Sequence, residues 1–135
     1  MNKILLAVLF AGFGTQLVKL IALWFKHKTL TFKDLFVTGG MPSSHSAFVV
    51  SLTTIIYLVE GASTTFAISI VFAMIVLRDA YGVRRTVGEE GLLLQEIIQK
   101  LKIKKQTHFA MGHTPLQVII GSLIGFIVAW IVFLI

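Results

Sequence analysis

Four long apolar runs, separated by short polar stretches, set the outline of this chain. Ile4 to Phe25, His45 to Val59, Thr64 to Tyr81 and Pro115 to Ile135 each approach the roughly 20 residues a helix needs to cross about 30 Å of hydrocarbon, and they predict four transmembrane spans. The second is short, which predicts that its glycine- and proline-containing mouth dips below the membrane surface. From Glu89 to Lys105 the pattern changes. Leu93, Leu94, Ile97, Ile98 and Leu101 recur on one face of a helix whose tail carries Lys100, Lys102, Lys104 and Lys105, the pattern of an amphipathic helix lying in the membrane interface. The first run is too long for a signal peptide, lacks a small-residue cleavage pattern and contains Gln16 and Lys19, so it reads as a retained span. The predicted fold is all-α: one integral membrane domain over residues 1–135, a helical bundle of about four transmembrane helices plus one amphipathic interfacial helix.

Composition fixes the medium. With 56% hydrophobic residues, 13% charged residues and a mean hydropathy of +0.91, a soluble domain of this size would leave too much apolar surface in water. The absence of cysteine excludes disulfides and thiolate zinc sites. A formal charge of +6 suits anionic head groups. It suits nucleic acid poorly, because a chain mostly buried in lipid has little exposed face for a duplex.

Alternation of the spans brings the end of the first, the start of the second, the end of the third and the start of the fourth to one side. That side collects His45, Arg78, Asp79, Arg84, Arg85 and His113, with Lys19 about two helical turns inside the first span. Lys26, Lys28, Lys33 and the lysines of the interfacial helix join them, while the opposite side has only Lys3 among its Lys and Arg residues. By the positive-inside rule the polar cluster faces the cytoplasm and the N-terminus lies outside, in what reads as the plasma membrane.

Two segments in this cluster carry chemistry. Gly39-Gly40-Met41-Pro42-Ser43-Ser44-His45-Ser46-Ala47 is a turn of small residues opening an apolar helix, and helix N-termini favour anions. Gly112-His113-Thr114-Pro115-Leu116-Gln117-Val118 again sets a histidine just ahead of an apolar helix. Each polar residue also has a plain structural reading. Ser44 suits the cap of the second span, Thr114 with Gln117 matches the capping box with Pro115 at the first helical position, and Arg84 and Arg85 suit interfacial anchors partnered by Asp79. Lys19 is harder to assign to structure alone, since an ammonium within a span is costly.

The run Gly39 to Ala47, the segment Asp79-Ala80-Tyr81-Gly82-Val83-Arg84-Arg85 and Gly112-His113-Thr114-Pro115 together resemble the divergent branch of the type 2 phosphatidic acid phosphatase family, related to acid phosphatases and vanadium haloperoxidases. The resemblance covers nearly the whole chain. It implies that Pro42-Ser43-Ser44-His45 contributes phosphate contacts and a histidine acid, and that His113, with Gln117 four positions on, stands for the family's nucleophile and its orienting carboxylate. Three features depart from the parent pattern. The lysine motif ending in Arg-Pro has no counterpart, the arginine expected six residues before the nucleophile falls at Thr107, and Gln117 replaces an acidic residue. Lys19, Arg84 and Arg85 are the cations present to take the missing roles.

The resemblance implies a membrane-embedded phosphatase that needs no metal and no cofactor, acting on a lipid phosphate or prenyl (pyro)phosphate through a phosphohistidine. His113 and His45 are the expected catalytic pair. Lys19, Ser43, Ser44, Arg84 and Arg85 are the expected substrate contacts, supported by Asp79 and Gln117. A different class of function uses the same pocket, namely lipid-phosphate binding without hydrolysis, as a carrier, sensor or assembly subunit with a degenerate site. Gly12 and Gly14, and Gly121 and Gly125 at GxxxG spacing, permit close helix contacts of the kind that join two copies into a homodimer.

Overall fold

The computed structural model describes residues 2–27, 41–103 and 112–135, leaving aside the side chains of Leu23, Lys26, His27 and Arg84. Among the described residues all regular structure is helical. Helix α1 spans Lys3–His27, α2 Ser44–Glu60, α3 Thr64–Arg78, a π-helical segment Asp79–Val83, α4 Arg84–Lys100 and α5 Pro115–Leu134. Three helical stretches are long and apolar enough to cross a membrane, and α2 is a shorter apolar helix of 17 residues.

Helix α2 is the centre of the bundle. It packs against α1, α3 and α5, and α1 also packs on α5. At one end, Ala7, Ile55, Ala129 and Val132 close into a core. Large apolar side chains such as Phe13, Leu17, Ile68, Met74 and Ile127 point outward, as lipid-facing positions do. Because lipid tails are as apolar as leucine, such helices associate through close packing and polar links rather than the hydrophobic effect. The α2–α5 contact shows both means. A Cβ on Gly121 would overlap the Ser43 carbonyl oxygen, and one on Gly125 would overlap that of Ala47. The GxxxG spacing is thus accounted for within the chain, by the backbone of α2. Gly12 likewise admits the Phe48 ring against α1, whereas Gly14 meets nothing within 4 Å. On the other side of α2, Thr53 Oγ1 donates across to the Ser69 carbonyl at 3.2 Å.

Contacts at the two ends establish the alternation. Lys3 Nζ donates to the Phe133 carbonyl at 3.0 Å, placing a cation at the C-terminus of α5, where the helix dipole favours it. At the opposite end the Ser43 N–H donates to the Gln117 carbonyl at 3.3 Å and the His113 N–H to the Ala80 carbonyl at 3.1 Å. Between α2 and α3 the chain turns at Gly61, whose φ of 69° suits glycine, and Ser63 caps α3 by accepting from the Phe66 N–H at 3.1 Å.

The structure departs from the sequence reading at the end of the third span. In place of a span ending at Tyr81 and a separate interfacial helix beginning at Glu89, the helix runs unbroken from Thr64 to Lys100, 37 residues. Nothing in this stretch stops a helix, since it holds no proline, and the π-helical turn absorbs the irregularity at Asp79–Val83. At 1.5 Å per residue the helical path measures about 55 Å, more than one crossing of about 30 Å of hydrocarbon takes up. The amphipathic helix ends at Lys100 instead of Lys105: Leu101 caps it, and Lys102 turns the chain at φ 54°. Lys104 and Lys105 lie outside the described residues.

Candidate functional site

The mouths of α2 and α5 and the π-helical segment meet at one end of the bundle. At α2 the cap is Ser43, and Ser44 is the first helical residue, a shift of one position from the sequence reading. Ser43 follows a cis Met41–Pro42 peptide and is fully buried. Its Oγ accepts from the Ser46 N–H at 3.4 Å and lies 2.9 Å from Ser46 Oγ, while its own N–H is taken by Gln117. The Ser43 amide, expected to contact phosphate, therefore fastens the two helix mouths together. First-turn amides have no acceptors within a helix, and with the Ser46 N–H taken by Ser43 Oγ the Ser44 amide is the donor considered at this mouth.

At α5 the capping box is complete. Thr114 Oγ1 accepts from the Gln117 N–H at 3.4 Å, and Gln117 Oε1 accepts from the Thr114 N–H at 3.0 Å. The same Oε1 lies 3.2 Å from His113 Nδ1. A backbone N–H can donate only to the oxygen of the Gln117 amide, so the cap fixes which way the amide points. The ring nitrogen facing that oxygen must then carry a proton, and in the neutral imidazole Nε2 holds the lone pair. His113 is only 7% exposed, and its N–H is anchored on the Ala80 carbonyl. Both the position and the tautomer of this histidine follow from backbone features of its neighbours.

His113 lines a cleft of ≈ 290 Å³ with Arg85, Glu89, Leu92, Gly112 and Thr114. The carboxylate that meets Arg85 here is Glu89, with Nε donating to Oε1 at 3.0 Å. The sequence had offered Asp79 as the partner of the arginines. Asp79 is half-buried as the first residue of the π-helical segment, next to Arg78, whose guanidinium lies 5.6 Å from the centre of the Tyr81 ring. The Arg84 side chain lies outside the description. His45, two residues beyond the α2 cap, is exposed at the same end, though it is not a wall of the His113 cleft. Lys19 is 6% exposed, so the ammonium within α1 is directed into the bundle and away from lipid.

Leu92 and the Ala80 carbonyl were not singled out by the sequence, and Glu89 stood there as the start of the amphipathic stretch, without a place beside Arg85. Only the i,i+4 spacing of Arg85 and Glu89 could have pointed to that pairing. Among the described residues no group of three or more His, Asp or Glu side chains gathers as a metal-ligand set.

Residues 1–128 match the family described as Divergent PAP2 family. The uncharacterized membrane protein YuiD of Bacillus subtilis (strain 168) is 34% identical over 142 residues, covering 92% of this chain and 89% of that protein. No solved structure matches.

Proposed function

The chain belongs to the divergent PAP2 family, and from that premise we propose that it is a membrane-embedded phosphatase that cleaves a lipid phosphate or pyrophosphate through His113. One observation carries the reading: Gln117 Oε1, oriented by the Thr114 N–H, lies against His113 Nδ1 and leaves Nε2 as the nucleophilic nitrogen. In the first step the Nε2 lone pair attacks phosphorus in line and the bond to the leaving oxygen breaks, while His45 gives that oxygen a proton. In the second, His45 takes a proton from water, the hydroxide attacks phosphorus, and the phosphorus–nitrogen bond returns its electrons to His113. Arg85, Arg84, Lys19 and the Ser44 amide balance the charge on the phosphoryl oxygens. The placement of the cleft at the end of the spans suits a substrate whose phosphate sits at head-group level and whose chain remains in lipid.

The test is Gln117→Glu. A carboxylate keeps the capping box and suits the first turn of a helix, and it adds a negative partner for the imidazolium that forms as His113 reacts. Turnover of phosphatidate or prenyl pyrophosphate by purified protein should rise about tenfold, which corresponds to about 1.4 kcal/mol of transition-state stabilisation. An unchanged rate would favour the second reading, a lipid-phosphate binder without hydrolysis. The feature on its side is the neutral Gln117 itself, which orients the imidazole without supplying charge.

The site is assigned to the cytoplasmic side of the plasma membrane and the N-terminus to the outside, on the lysine and arginine bias of the loops. Because the chain has no cysteine, single substitutions report topology cleanly. Ala62→Cys, beside the turn at Gly61, should react with an impermeant thiol reagent in intact cells, and Lys100→Cys only after lysis. The reverse pattern would invert the assignment.

A further inference from the structure

Glu89 has no task in the chemistry above, yet it stands inside the cleft. Arg85, Glu89 and Leu92 follow one another at i, i+4 and i+7 of α4, so a single stripe of that helix forms the wall beside Gly112, His113 and Thr114. The Arg85 Nε–Glu89 Oε1 bond is 3.0 Å, with side chains 50% and 63% exposed. An exposed pair of this kind adds little to stability. Its position ties up the one described guanidinium lining the cleft.

We propose that Glu89 is an internal anion that holds Arg85 while the cleft is empty and competes with phosphate for it, so that the site disfavours the free phosphate it releases. The proposal rests on reading the cleft as a phosphate site. A phosphoryl group arriving beside His113 gains Arg85 only by displacing the carboxylate, and the displaced carboxylate still repels it from nearby. Repulsion grows with the charge on the ligand, so it acts on inorganic phosphate and on the head groups of lipid phosphates and pyrophosphates alike. A lipid substrate offsets that repulsion through its chain in the bilayer and against Leu92. Free phosphate has no such anchor, and the return of Glu89 to Arg85 favours its departure.

The experiment titrates inorganic phosphate into wild type and Glu89→Gln in neutral-detergent micelles at low ionic strength, followed by phosphorus NMR. Glu89→Gln should bind about tenfold more tightly, an advantage that shrinks as salt screens the charges. The advantage should vanish when both proteins also carry Arg85→Gln. Equal or weaker binding by Glu89→Gln, a gain that persists in the Arg85→Gln background, or no phosphate binding by either protein would overturn the proposal. Turnover on the same preparations separates the two readings. A binding gain without turnover of any lipid phosphate would sink the phosphatase and leave the role of Glu89 standing; turnover without the gain would do the opposite.

Discussion

On the proposed mechanism, His113→Ala should lower lipid-phosphate hydrolysis by at least about a thousandfold, since loss of the proposed nucleophile removes the covalent route and leaves only binding and charge stabilisation. The substitution should spare the fold. Thr114 and Gln117 close the α5 cap between themselves, and the His113 N–H that reaches the Ala80 carbonyl belongs to the backbone and is kept. A rapid alkaline quench with radiolabelled substrate provides the second reading, because a phosphoramidate survives base. Label should be trapped on wild type and be absent from His113→Ala. If the variant retains the wild-type rate, or if label remains on the protein without His113, the nucleophile has been misassigned.

Gly121→Val should be the most damaging substitution to the fold outside the chemistry. Its side chain would meet the Ser43 backbone, which cannot swing aside as a flexible side chain can. Relief requires α5 to move off α2, and overpacking of this kind costs about 3 kcal/mol or more, a large share of the roughly 5–15 kcal/mol by which proteins are stable. The same displacement pulls Ser43 from Gln117 and opens the site. Gly14→Ala is the matched control, since Gly14 faces open space and alanine is the better helix former by about 1 kcal/mol. Thermal unfolding in detergent should show Gly121→Val far below wild type and Gly14→Ala level with it or above. Comparable stability of the two variants would mean that the α2–α5 approach is looser than described.

The spans were legible because lipid enforces a simple rule, about 20 apolar residues for each crossing, and the runs beginning at Ile4, Thr64 and Pro115 obey it. The start of α5 was legible for a local reason: Thr114, Pro115 and Gln117 carry the whole capping box within four positions. The burial of Lys19 was half legible, since a cation inside a span announces itself but the direction it faces depends on the packing of α1. The join between α3 and α4 was not legible. The sequence from Asp79 to Val83 is compatible with ordinary helix, and the π-helical turn there meets His113 more than 30 residues later in the chain. The pairing of Glu89 with Arg85 in the cleft was hidden for the same reason. Which face of α4 looks onto α5 depends on the rotation accumulated through that turn, so its place in the cleft followed only from the tertiary structure. The choice of Ser43 over Ser44 as cap likewise depended on Gln117 across the bundle.

Gln117 Oε1 accepts from a backbone amide and faces a histidine at once, and this shared oxygen bears on how the position can drift through descent. Glutamine and glutamate both preserve the start of α5, and a single-base change separates their codons. A lineage that abandoned catalysis would still be selected to keep one of the two, because the helix must begin there. A lineage regaining a carboxylate would face no structural valley on the way. Persistence of this residue among descendants would therefore be a poor record of activity, and the passage between enzyme and binder could occur in either direction with little trace in the fold.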